Sequence, residues 1–196
     1  MAVNHNVSRR SNLLDGISKL CDLAREGEAI RGARVSVICR NPLSPAAQTV
    51  WSVLAPLQEA GVNVYAVFAS LDRKQGGERA IEQYSNIFGS EAAEAHLRLL
   101  DGRLTRKVHE QVIVSEAGVW LGNIVGSGAG AEIAEGQYVD FADGLRGVDH
   151  AEAARRGFAV AFRTARTLEK AGQWSVPASL SRAFSAAKNA VVPEAA

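Results

Sequence analysis

The chain has 196 residues, 47% of them hydrophobic and 22% charged, with a net charge of +1. That length suits one domain, and that balance excludes an intrinsically disordered chain. The near-neutral charge shows no basic excess of the kind that announces nucleic-acid binding, so any polyanion site has to be local.

Residues 1–8 are expected as a disordered lead, 9–175 as one α/β domain, and 176–196 as a C-terminal helix and tail. In chain order, residues 12–30 carry Leu13, Leu14, Ile17, Leu20 and Leu23 at helical spacing, and Gly32 stops that helix. Residues 34–40 read as a buried strand. The Asn41-Pro42 turn follows, then a helix over 46–60 in which Pro56 is a blemish. Residues 62–69 form the next strand, which makes 34–69 a parallel βαβ unit. A polar loop at 74–77 leads to a helix over 78–88 and a short strand over 97–100.

Residues 108–115 read as a strand, joined at Ala117-Gly118 to a second hairpin strand at 119–121. Trp120 is expected in the core. Residues 122–130 are a Gly-rich loop, read as a possible lid, and 135–147 show no clear period. The strongest helix is expected over 149–170, with Asp149 and Glu152 as a capping box. A last helix is expected over 177–191.

Cys21 and Cys39 are too few for a disulfide framework, and their spacing suits no metal site. No metal or cofactor is expected. Arg9 and Arg10 are not followed by the apolar segment of a secretory leader, and no apolar run approaches the ~20 residues a membrane helix needs. The expectation is a cytoplasmic protein with no integral membrane segment.

Chemistry concentrates between Thr105 and Gly122. His109 and Gln111 are two apart on the expected strand and so share a face, while Val112 and Val114 pack. Glu116 follows at the turn, where it is expected to return to the same end of the sheet. Arg103, Arg106 and Lys107 form a basic stretch just upstream, read either as a solvated edge or as partners for an anion.

This segment resembles the phospholipase D superfamily. That family's motif runs His, any residue, Lys, four residues, Asp, then about six residues and Gly-Ser. His109 matches, Gln111 stands at the Lys place, Glu116 at the Asp place, and Gly122-Asn123 one residue early at the Gly-Ser place. The stretch LAPLQEAGVNVYAVFA, Leu54 to Ala69, is similar to the family's helix and strand upstream of the motif.

The resemblance implies an α/β fold: a phospholipase D-like mixed sheet flanked by helices on both faces. It implies catalysis by His109 with Glu116, and substrate binding by Gln111, Asn123 and Lys107. In such enzymes the motif His attacks phosphorus, a second motif's His protonates the leaving group, and lysines hold the phosphate oxygens. A single-motif chain therefore implies a homodimer with two copies of His109 about a two-fold axis. The substrate class is a phosphodiester, phospholipid or nucleic acid being left open. Gln111 supplies only neutral donors where the family has a charge, which leaves two alternatives. One is a catalytically inactive relative that binds or assembles; the other is an unrelated α/β domain that binds a small anion near the Gly-rich loop.

Overall fold

β1 (Arg34–Cys39) and β2 (Asn63–Phe68) run parallel, with Arg34 level with Asn63 and Cys39 level with Phe68. This is the βαβ unit that the alternating apolar runs predict. The computed structural model describes residues 3–26, 33–71, 76–100, 110–125, 132–142 and 144–168. The basic stretch at 103–107, His109, the Gly-rich segment 126–130 and the expected last helix lie outside the described residues.

Five further strands complete a mixed sheet: β3 (Leu97–Leu99), β4 (Glu110–Val114), β5 (Gly118–Val125), β6 (Glu132–Asp140) and β7 (Arg166–Thr167). Their order is β6-β5-β4-β1-β2-β3-β7. β1, β2 and β3 are mutually parallel, and β4 to β6 form an antiparallel meander attached to β1 through β4.

Alternation along the strands creates two cores. One face carries Val35, Val37, Val64, Val112, Val114 and Trp120, covered by Leu13, Ile17 and Leu20 of α1 (Val3–Arg25). The same face receives α2 (Pro45–Trp51), α3 (Leu54–Glu59) and α4 (Gly77–Phe88), together with Ala93 of α5 (Ser90–His96). The other face carries Val67, Ile113, Val119 and Val139 under Ala154 and Phe158 of α6 (Gly144–Thr164). Helices therefore cover both faces, which is why β1 and β2 read as near-continuous apolar runs.

Several elements differ from the sequence expectation for identifiable reasons. α1 begins at Val3, so residues 3–8 are helical rather than a disordered lead. No Gly or Pro stands before Gly16 to break the helix that the Leu13 face anchors. The helix expected over 46–60 is two helices, broken at Ser52–Val53. A continuous helix would need an N–H at Pro56 to reach the Ser52 carbonyl, and the ring would collide there. The break puts Pro56 in the first turn of α3, where no N–H is required.

Residues 132–140, within and just before a stretch that shows no period, form β6, and β5 extends past Leu121 into the expected loop. Glycines hide both. Trp120 lies across Gly122 of its own strand and Gly136 of β6, where added Cβ atoms would come within 1.9 and 3.1 Å of the indole. Such glycines are slots for a neighbouring ring rather than turn signals. α6 starts at Gly144, so Asp149 lies inside the helix and no capping box forms. Glu152 instead pairs with Arg156 one turn along. The helix ends at Thr164, short of residue 170, because the chain turns to pair β7 with β3. No helix among the described residues is long and apolar enough to cross a membrane.

Candidate functional site

β4 lies antiparallel to β1, with Gln111 opposite Ile38 and Val114 opposite Val35. The amino end of β4 is therefore level with the carboxyl ends of β1 and β2. That end of a parallel α/β sheet is where ligands are bound, because the loops leaving the strands open there.

Two of the five residues expected at the site reach this end. Gln111 is half-buried on the α6 face, and its side-chain nitrogen has no hydrogen-bond partner among the described residues. Asn123 lies on β5 just beyond the pair Gly122–Glu110, beside an irregularity in the β5–β6 register. Bulges of this kind re-aim strands near functional sites. His109, which precedes Glu110 in the chain, and Lys107 lie outside the described residues.

Glu116 does not return to this end, which corrects the expectation drawn from the hairpin. It sits in the β4–β5 turn with φ +60°, at the far end of β4, and pairs with Arg155 of α6 at 3.1 Å. It lies five residue steps along the chain from Gln111, a span of roughly 16 Å. A strand's two ends cannot both face one crevice, so a motif read along the chain overestimates what a hairpin brings together.

Glu110 is the residue that the motif reading passes over. Its side chain is 1% exposed, on the same face as Val112 and Val114. One carboxylate oxygen accepts a hydrogen bond from the Arg40 N–H at 3.3 Å, and the other has no partner among the described residues. Burial pushes its pKa up. The Arg40 N–H, the Ser44 hydroxyl, the Arg40 charge and the Ala46 N–H oppose that shift. Ser44 is itself buried, and its hydroxyl makes no hydrogen bond of regular geometry, to Glu110 or to the helix that it precedes.

Cys39 is fully buried beside this carboxylate, its thiol directed at the Asn41 carbonyl at 3.4 Å. Burial, reinforced by the Glu110 charge, pushes the thiol pKa well up, which makes it an inert packing group. The loop between Cys39 and Ser44 is braced. Asn41 Oδ1 accepts from the Leu43 N–H at 2.9 Å, and the Gln48 side chain donates to the Pro42 carbonyl at 3.2 Å. The signal for Glu110 was present in the sequence: an acid at an inward place in an otherwise apolar alternation.

No group of His, Cys, Asp or Glu among the described residues is arranged to hold a metal ion. The chain matches no model of a known protein family and no curated protein.

Proposed function

We propose that this chain is a phospholipase D-like protein with a degenerate motif. It binds or hydrolyses a phosphodiester through His109, as a homodimer, at the carboxyl end of β1 and β2. The single observation that carries this reading is the pairing of Gln111 with Ile38. It sets the start of β4, which His109 immediately precedes in sequence, level with the end of a parallel sheet where anionic ligands bind. The mixed sheet with helices on both faces suits the same reading.

In this mechanism His109 attacks phosphorus and forms a P–N bond as the P–O bond to the leaving group breaks, and the His109 of a second subunit protonates the leaving oxygen. Water then cleaves the P–N bond to free His109 and the phosphomonoester. Gln111 and Asn123 donate hydrogen bonds to the phosphoryl oxygens, and Lys107 supplies the positive charge that Gln111 lacks. Glu116 drops out of the catalytic set on this geometry. The test is hydrolysis of bis(4-nitrophenyl) phosphate by wild type and His109→Ala, with oligomeric state measured by light scattering. The reading expects turnover by a wild-type dimer and loss of turnover in the variant; equal rates remove the catalytic claim.

A non-catalytic binding role is favoured by Gln111, whose neutral amide stabilises a phosphoryl transition state less than a lysine would. That role expects no turnover, and the same oligomer when His109 is replaced. A phosphohistidine trapped during reaction excludes it.

A further inference from the structure

We propose that a cavity at the opposite end of the sheet is a second binding site, selective for a small organic carboxylate with an apolar body. The cavity measures about 330 Å³ and lies between the amino end of β1, the β4–β5 turn and α6. Its position makes it independent of the phosphodiester reading: it is set by Arg34 and Glu116, at the far end of β4 from Gln111.

Charge selects the ligand. Arg34 and Arg155 both line the cavity, and Glu116 supplies the carboxylate at its edge. Two guanidinium groups against one carboxylate leave one net positive charge, which a monoanion neutralises. Arg155 uses one nitrogen on Glu116 and keeps other donors, its plane lying over Phe141 with the guanidinium carbon 5.4 Å from the ring centroid. Arg34 lies over Tyr65 at 6.0 Å, with no carboxylate of the described residues in ion-pair contact. The guanidinium fork fits a carboxylate through two parallel hydrogen bonds.

The interior selects the rest. Ser36 is 2% exposed and lines the cavity, adding a hydroxyl to its polar groups. Beside it the wall is hydrocarbon, from Ile113 and Phe158. Pockets with an apolar wall and a few convergent polar groups hold amphipathic small molecules. A phosphate dianion brings one charge too many and nothing to cover Ile113 and Phe158, so the carboxylate is preferred.

The experiment is a titration of the isotope-labelled full chain with sodium benzoate at constant ionic strength, followed by amide chemical shifts. Saturable shifts are expected at Ser36, Ile113 and Phe158. Arg34→Gln and Arg155→Gln are each expected to weaken binding roughly tenfold or more, the loss of one charge-assisted contact. Ser36→Ala weakens it by a smaller factor, and Glu116→Gln strengthens it by removing the competing carboxylate. Both arginines are exposed, so their variants are expected to keep the wild-type spectrum away from the cavity. Inorganic phosphate is expected not to displace benzoate. Absence of saturable shifts overturns the proposal, as does wild-type affinity in either arginine variant. Displacement by equimolar phosphate overturns the assignment to carboxylates.

Discussion

The Glu110 carboxylate accepts the Arg40 N–H at 3.3 Å, tying the first residue of β4 to the loop that leaves β1. The tie puts an ionisable group inside the first core, and its pH signature follows from the sign of its shift. Burial raises the folded-state pKa above the ordinary 4.5. As pH rises past 4.5 the unfolded chain loses this proton first, so the folded state loses stability through that window. Glu110→Gln has no such proton. Its stability relative to wild type is therefore expected to be lowest below pH 4.5 and to increase toward neutrality. Denaturant midpoints at pH 4 and pH 8 measure this, and parallel changes in both proteins would show that Glu110 is not strained by its burial.

The packing of Trp120 makes a second prediction. A methyl group at position 122 would lie 1.9 Å from the indole edge, against 3.1 Å at position 136. Trp120 is 1% exposed and has little room to withdraw. Gly122→Ala is expected to destabilise by roughly 1–3 kcal/mol, the usual cost of overpacking, and Gly136→Ala by less. Combining Gly122→Ala with Trp120→Leu should recover part of the loss. Urea unfolding of the three variants tests it, and equal stability of Gly122→Ala and wild type would contradict the slot.

These same residues mark what was legible in the sequence. Val35, Val37, Val64 and Val67 declared the parallel pair because strands covered on both faces need apolar residues at successive positions. β6 stayed hidden because its packing partner is a tryptophan on a neighbouring strand, and the glycine that admits the ring reads locally as a turn. The helix break at Ser52 was signalled by Pro56, but a proline blemish does not say whether a helix kinks or splits. At the site, the resemblance named Gln111 and Asn123, and the pairing of β4 with β1 and β5 sets both toward one end of the sheet. Residue spacing misplaced Glu116, since which end of a hairpin faces a crevice depends on the strand beside it, here β1. Glu110 was legible as an acid in an apolar alternation, although it stands at the unspecified place between His109 and Gln111.

Tyr84 and His96 give the third prediction. The Tyr84 hydroxyl donates to the Val64 carbonyl at 2.7 Å, so its oxygen accepts from His96 Nδ1 at 3.1 Å. Burial, with the Arg98 charge, holds His96 below its ordinary pKa of 6.5. The unfolded chain therefore takes up this proton first as pH falls, and the stability from a neutral His96 is full above pH 6.5 and declines below it. His96→Gln is expected to flatten the stability profile between pH 7.5 and pH 5.5. Tyr84→Phe is expected to cost about 1–2 kcal/mol at either pH, because it leaves a buried carbonyl unpaired. Thermal or urea denaturation at the two pH values checks both, and an unchanged slope in the His96 variant would dismiss the imidazole as the source.

Glu116 supplies the last prediction. It is the described non-glycine residue with positive φ, at +60°, in the turn where Ala117 N–H bonds the Val114 carbonyl at 3.1 Å. A side chain in this left-handed conformation costs about 1–2 kcal/mol, and three-residue hairpin loops favour glycine there. Against that cost stands the contact with Arg155, in which both side chains remain about half exposed. Pairs so exposed contribute ~1 kcal/mol or less. Glu116→Gly is therefore expected to be neutral or to stabilise by up to about 1 kcal/mol, while Glu116→Val, β-branched and equally unable to pair, is expected to destabilise. The comparison separates backbone from charge, because both variants lose the ion pair. If glycine and valine destabilised equally, the Arg155 contact rather than the turn conformation would govern this hairpin.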